Sequence, residues 1–152
     1  MMVEVLASGV YVILFEETAV TVAKTLVEYL APADQSVAVL KAWITQNTLE
    51  TSEQLEAVLR TFTATGTGTA FTPRKMNDKM VAAAGTAKVN MSVEGTGGEV
   101  KFREGFNLLN GFYWPTTNER WTIDGGLLGG LRLDDAPAAS TTISAGLLVA
   151  EI

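Results

Sequence analysis

The sequence predicts an all-β domain of the sandwich or barrel type. Three observations carry that reading: apolar and polar residues alternate with period 2, apolar runs have strand length, and glycine, proline and aspartate turn signals separate them. The length of 152 residues fits a single domain, 1–152, since a domain takes about 100–200 residues. With 47% hydrophobic and 18% charged residues the chain is too apolar to stay disordered.

Taken in order, residues 5–15 form an apolar run that carries Glu4 where a signal peptide needs basic residues and stops at Glu16 and Glu17. It is also shorter than the roughly 20 apolar residues of a membrane span, so residues 1–16 read as an N-terminal strand or arm. Residues 18–31 place Val20, Ala23, Val27 and Leu30 near helical spacing, while their β-branched neighbours favour a pleated surface, and the two readings balance. Residues 37–45 put Val37, Val39, Lys41, Trp43 and Thr45 on one face and Ala38, Leu40, Ala42 and Ile44 on the other, with the second face expected to be buried. A polar loop, 46–52, leads to residues 55–63, where Leu55, Ala57 and Leu59 oppose Glu56, Val58, Arg60 and Phe62.

Small residues from Thr63 to Ala70, followed by Phe71, predict a long exposed loop over 64–79. Asn77 as N-cap, an alanine run and Gly85 at the C-terminal end predict one short helix near 77–84. Residues 86–93 and 99–104 flank the glycine-rich segment 94–98, which reads as a hairpin turn. Short strands at 113–114, 120–123, 130–133 and 141–151 complete the series, separated by Gly125-Gly126, Gly129-Gly130 and the 134–137 turn. No internal repeat of fixed period is present.

Composition narrows the chemistry. The chain has no histidine and no cysteine, which removes Cys/His metal, haem and iron–sulfur ligation, Ser-His-Asp and Cys-His nucleophiles, disulfides and histidine switching. Carboxylate, lysine or tyrosine acid–base work and oxygen-ligated Ca²⁺ or Mg²⁺ remain. Eleven basic against 17 acidic residues give a net charge of −6, which argues against a nucleic-acid partner. The glycines at 95, 97 and 98 lack the Lys-Ser/Thr pair of a phosphate cradle. Glu16-Glu17, Asp124 and Asp134-Asp135 read as solvated turn residues without EF-hand spacing. No catalytic, cofactor-binding or metal-ligating residue is therefore expected, nor any cofactor.

Two groups suit binding. Phe106, Phe112, Tyr113, Trp114 and Trp121 fall close together, with alternation setting Phe112 and Trp114 opposite Tyr113. Most read as core anchors, although rings left exposed on a sandwich make a stacking platform for sugar, with Trp43, Trp114 and Trp121 as its candidates. Arg74, Lys75 and Lys79 form the one local basic group, a docking point for an acidic partner or simply a solubilising patch.

A proline loop with an Ala-rich turn spans residues 72–85, a phenylalanine-asparagine strand runs into an aromatic-Pro-Thr corner over 104–117, and Glu119-Arg120, residues 136–145 and the closing Glu151-Ile152 follow. In this order the chain resembles the capsid decoration, or cement, proteins of tailed bacteriophages, in motif detail over its C-terminal half and in strand order over the rest. The resemblance implies a jelly-roll-like β-sandwich, which tips residues 18–30 towards strand. It also implies a non-enzymatic virion structural protein, a homotrimer on the outer capsid surface bound to the major capsid protein, away from membrane and genome. The contact residues expected on that reading are Met2, Val3 and Val5, which can add to a neighbour's sheet edge, and Phe71, Arg74, Lys75 and Lys79. The alternative of another class is a carbohydrate-binding or host-adhesion module of a tail or head fibre.

Overall fold

The computed structural model describes residues 9–47, 52–115, 121–138 and 140–151. Its strands are β1 (Val10–Val20), β2 (Lys24–Leu30), β3 (Val37–Gln46), β4 (Gln54–Phe62), β5 (Thr67–Phe71), β6 (Arg74–Lys75), β7 (Thr86–Val93), β8 (Val100–Asn107), β9 (Phe112–Trp114), β10 (Trp121–Ile123), β11 (Leu128–Leu133) and β12 (Thr141–Glu151). One sheet runs β10-β3-β12-β1-β6, with β9 also on β3, and the other runs β5-β7-β2-β11-β4-β8. The antiparallel pairs are nested: β1 with β12, β2 with β11, β3 with β10, β4 with β8. A ribbon of nested pairs wound into two facing sheets is the jelly-roll arrangement, and the expected fold class is what the chain adopts. Residues 18–30, balanced between helix and strand in the sequence, hold the end of β1 and the whole of β2, joined by a short bend at 21–23.

Alternation fills the space between the sheets. Tyr11, Ile13, Phe15, Ile44, Phe112, Ile143 and Leu147 from the first sheet meet Tyr29, Leu55, Leu59, Leu131 and Leu133 from the second in one buried cluster. Each such large apolar side chain contributes about 1.5–3 kcal/mol by leaving water.

Four local expectations are corrected. Residues 77–84 form a single turn and no helix: the Met80 amide reaches the Asn77 carbonyl at 2.9 Å and the Lys79 amide reaches Asn77 Oδ1 at 3.0 Å. Beyond that turn the backbone finds tertiary partners, with Tyr11 Oη donating to the Val81 carbonyl and the Ala84 and Gly85 amides donating to Glu151. Residues 64–79 are mostly exposed, as expected, yet they contain β5 and β6. β7 and β8 are not a hairpin, because β2, β11 and β4 lie between them in the sheet. Segment 94–99 therefore crosses the outer face of that sheet. Finally, a bulge interrupts β3: Leu148 faces Lys41 but Val149 faces Val39, leaving Leu40 as the extra residue. Val37 and Val39 are thus buried together with Ala42 and Ile44, while Ala38 and Leu40 are only half-buried. Of the N-terminal arm, residues 1–8 lie outside the described residues and 10–16 belong to β1.

The crossover depends on backbone contact. A Cβ on Gly98 would lie 2.1 Å from the Thr61 carbonyl oxygen, and its φ is +75°. Beneath the crossover, Phe62 is buried on the outer face of the sheet, between Gly130 and Gly95, whose Cβ positions would each fall 2.9 Å from its ring. Glu94 ties the crossover down by accepting from the Thr25 amide at 2.9 Å and the Thr25 hydroxyl at 2.6 Å, and by pairing with Arg132. Beside it, Glu28 is 2% exposed, accepts from Thr65 Oγ1 at 2.6 Å and leaves Oε2 without a partner. Burial raises its pKa, against the smaller opposing effects of Thr65 and Lys88.

Two predictions follow from this outer layer. Gly98→Ala, which meets both a clash and a positive φ, costs more than about 2 kcal/mol, whereas Gly126→Ala, with φ +81° and open space, costs about 1 kcal/mol; urea unfolding midpoints give the order. Because folding raises the pKa of Glu28 above its ordinary 4.5, the stabilisation by its neutral form is complete below that value and disappears as pH rises through the folded pKa. Glu28→Gln, which keeps an acceptor for Thr65, is therefore more stable than the parent at pH about 7, and the difference closes below pH about 4.5.

Candidate functional site

The insertion between β4 and β8 builds the most distinctive surface. From β5, on the edge of one sheet, the chain passes through Thr72 and Pro73 to β6, which pairs with Tyr11 and Val12 of β1 at the edge of the other. It then returns through loop 76–85 to β7, so that this one segment closes the open side of the sandwich.

Loop 76–85 is held by a buried carboxylate. Glu151, 5% exposed at the end of β12, accepts from Tyr29 Oη at 2.6 Å, the Ala84 amide at 2.9 Å and the Gly85 amide at 2.8 Å. Burial, and then the Glu151 carboxylate as acceptor, push the Tyr29 phenol far above its ordinary pKa, so that it stays a donor. At the other end of the loop the Met76 amide donates to the Val10 carbonyl at 2.9 Å, and Tyr11 Oη holds the Val81 carbonyl at the same distance. The backbone is fixed while the side chains point outward: Met76 is 58% exposed and Val81 79%. Lys75 precedes Met76 and Lys79 lies between Met76 and Val81 in the chain, both lysines exposed and without an ion-pair or hydrogen-bond partner among the described residues. Exposed apolar side chains interspersed with free ammonium groups on a chain of net charge −6 suit a partner surface that pairs apolar with acidic residues, and the fixed backbone lowers the entropy cost of docking.

The expected contact residues divide. Lys75 and Lys79 stand on this surface, with Arg74 beside them in an ion pair with Glu16 at 3.0 Å and 5.3 Å from the Phe71 ring centroid. Phe71 itself packs against the core and serves as a seat for Arg74. Met2, Val3 and Val5 lie outside the described residues. Trp114 and Trp121 are corrected from aromatic contacts to core: at 4% and 7% exposure they occupy the inner face through β9 and β10. Trp43 is half-buried on the outer face, where Tyr113, 58% exposed, is its cross-strand neighbour. Sequence reasoning passed over Val81, whose signal was an apolar residue inside a run read as helix, and Glu151, whose depth only the two facing sheets create.

Several of the acidic residues are engaged. Glu16 pairs with Arg74, and Asp134 pairs with both Arg132 and Arg103 at 2.9 Å, which lowers its pKa. Glu99 and Asp124 border a shallow recess with Thr61, Gly98, Lys101 and Leu127, but Lys101 lowers the pKa of Glu99, the reverse of what a general acid needs. Among the described residues no group of three or more acidic side chains is placed to hold a metal ion. Comparison with known proteins finds no matching family model, no matching curated sequence and no matching solved structure.

The clamp yields a direct test. Glu151→Gln replaces an acceptor facing three donors with an amide that is itself a donor, and destabilises the fold by about 2–4 kcal/mol. It also exposes the loop to trypsin at Lys75 and Lys79, read by mass spectrometry of limited digests, while Tyr29→Phe has a smaller effect of the same kind.

Proposed function

We propose that this protein is a non-enzymatic capsid decoration protein of a tailed bacteriophage, bound as a homotrimer to the outer surface of the head and bridging major capsid subunits. The observation that carries this reading is the fixed, outward-facing loop of Met76, Val81, Lys75 and Lys79 on a jelly-roll scaffold. The family resemblance of residues 72–85 covers the same segment. A decoration protein needs repeated surface contact and no reactive group, and a multivalent array converts a modest contact into stable binding. Absence of histidine and cysteine and an acidic exterior agree with a protein that coats a particle and stays clear of its genome. Met2, Val3 and Val5 are a second contact on this reading, adding to a neighbouring sheet edge.

The test is co-sedimentation with empty expanded heads of the phage that encodes the chain, with light scattering for the oligomeric state. The protein is expected to run as a trimer and pellet with heads, and Val81→Asp to abolish pelleting with an unchanged circular dichroism spectrum. A stable monomer that leaves heads unbound overturns the proposal.

A further inference from the structure

The outer face of the sheet containing β3 carries a second surface, distant in kind from the basic loop. Residue pairing sets Leu14, Gly146, Trp43 and Tyr113 in one row across β1, β12, β3 and β9. Val12, Leu148 and Lys41 form the next row on the same face. Both glycine and aromatic ring are needed for the shape. A Cβ on Gly146 would fall 2.3 Å from Trp43 Cζ2 and 2.8 Å from both flanking ring atoms, Cε2 and Cη2. The flanking atoms, both at 2.8 Å, place that point above Cζ2 along the ring normal and not out in the ring plane. The indole therefore lies face-down on the bare backbone of Gly146 with its other face turned away from the sheet. No aromatic ring or cation among the described residues covers that face.

Polar groups around the ring fall into two sets. On one flank Ser144, Asn47, Glu17 and Thr45 satisfy one another: Ser144 Oγ donates to Asn47 Oδ1 at 2.8 Å, the Glu17 amide to Ser144 Oγ at 3.2 Å, Asn47 Nδ2 to Glu17 Oε1 at 3.4 Å, and Thr45 Oγ1 to the Ser144 carbonyl at 3.4 Å. On the other, Lys41 Nζ and Tyr113 Oη have no partner among the described residues. A protein partner seated here would have to bring a carboxylate to the lysine, and lysine is depleted from the cores of such interfaces. A nucleobase offers a flat face too, but brings phosphate to a chain of net charge −6. A pyranose matches both features, with a C–H face for the ring and hydroxyls for the free donors.

We propose that this face is a glycan-binding shelf, in which the ring face of Trp43 turned away from the sheet stacks on a pyranose ring while Lys41 and Tyr113 hydrogen-bond its hydroxyls. The inference rests on this geometry alone and stands or falls apart from the capsid reading.

An array of immobilised neutral and acidic oligosaccharides supplies the probe, and tryptophan fluorescence titration with the best hit supplies the affinity. Trp114 and Trp121, buried in the core, give a constant background. Trp43→Ala, which removes the fluorescent reporter and is therefore read on the array, and Tyr113→Ala, read by titration, are each expected to weaken binding about tenfold, with Lys41→Met weakening it less and Val81→Asp leaving it unchanged. Tyr113 is 58% exposed, so its variant keeps the test valid if Trp43→Ala unfolds. An array without hits, an affinity indifferent to Tyr113→Ala, or a dimer in sedimentation that Trp43→Ala dissociates would each overturn the proposal.

Discussion

Everything in this fold hangs on β12. It is the strand that β1 and β3 both pair with, so that the last strand of the chain lies between the first and the third. That pairing cannot form until residues 10–20 and 141–151 meet, and closing so long a loop costs entropy and slows folding. Once formed, it fixes the nesting of β2 with β11, β3 with β10 and β4 with β8, because each inner pair continues the ribbon begun by the outer one. The same strand delivers both special features of the molecule. Its Gly146 is the floor under Trp43, and its Glu151 is the clamp under loop 76–85.

Glycine decides where layers can touch. Gly98 lets the crossover lie directly on β4, Gly130 and Gly95 leave the space that Phe62 fills, and Gly146 lets an indole lie flat. In each case the missing Cβ is replaced by a neighbour's atoms, so packing density is kept while a second layer is laid outside a sheet. The jelly roll consequently carries apolar and polar structure on its outer faces as well as between them. Those outer additions are where it differs from a plain sandwich.

The two candidate surfaces divide by chemistry. Loop 76–85 combines exposed apolar side chains with free lysines on a backbone held by buried hydrogen bonds, which suits a protein partner. The Trp43 shelf combines one flat ring with free donors, which suits a sugar. Neither requires a nucleophile or a titrating imidazole, in keeping with a chain that has no histidine and no cysteine.

Strand content was legible because alternation is a local property: residues 55–63 read directly as β4, and Phe112, Tyr113 and Trp114 alternate in, out and in as their order requires. Where alternation broke, the sequence misled. Leu40 looked like a core residue until the bulge showed Val39 taking that side, and the glycines at 95–98 looked like a hairpin although β7 and β8 pair with other strands. Asn77 capped a turn, as its side chain favours, but the helix expected after it lost its amides to Glu151, a competitor 66 or 67 residues away. The amino-acid sequence by itself thus determined the all-β class, the absence of any histidine or cysteine side chain, and the basic group at 74–79. Tertiary structure alone decided which aromatic rings face water, which carboxylate is buried and which strands are neighbours, because each of these depends on partners far apart in the chain that no local period can specify.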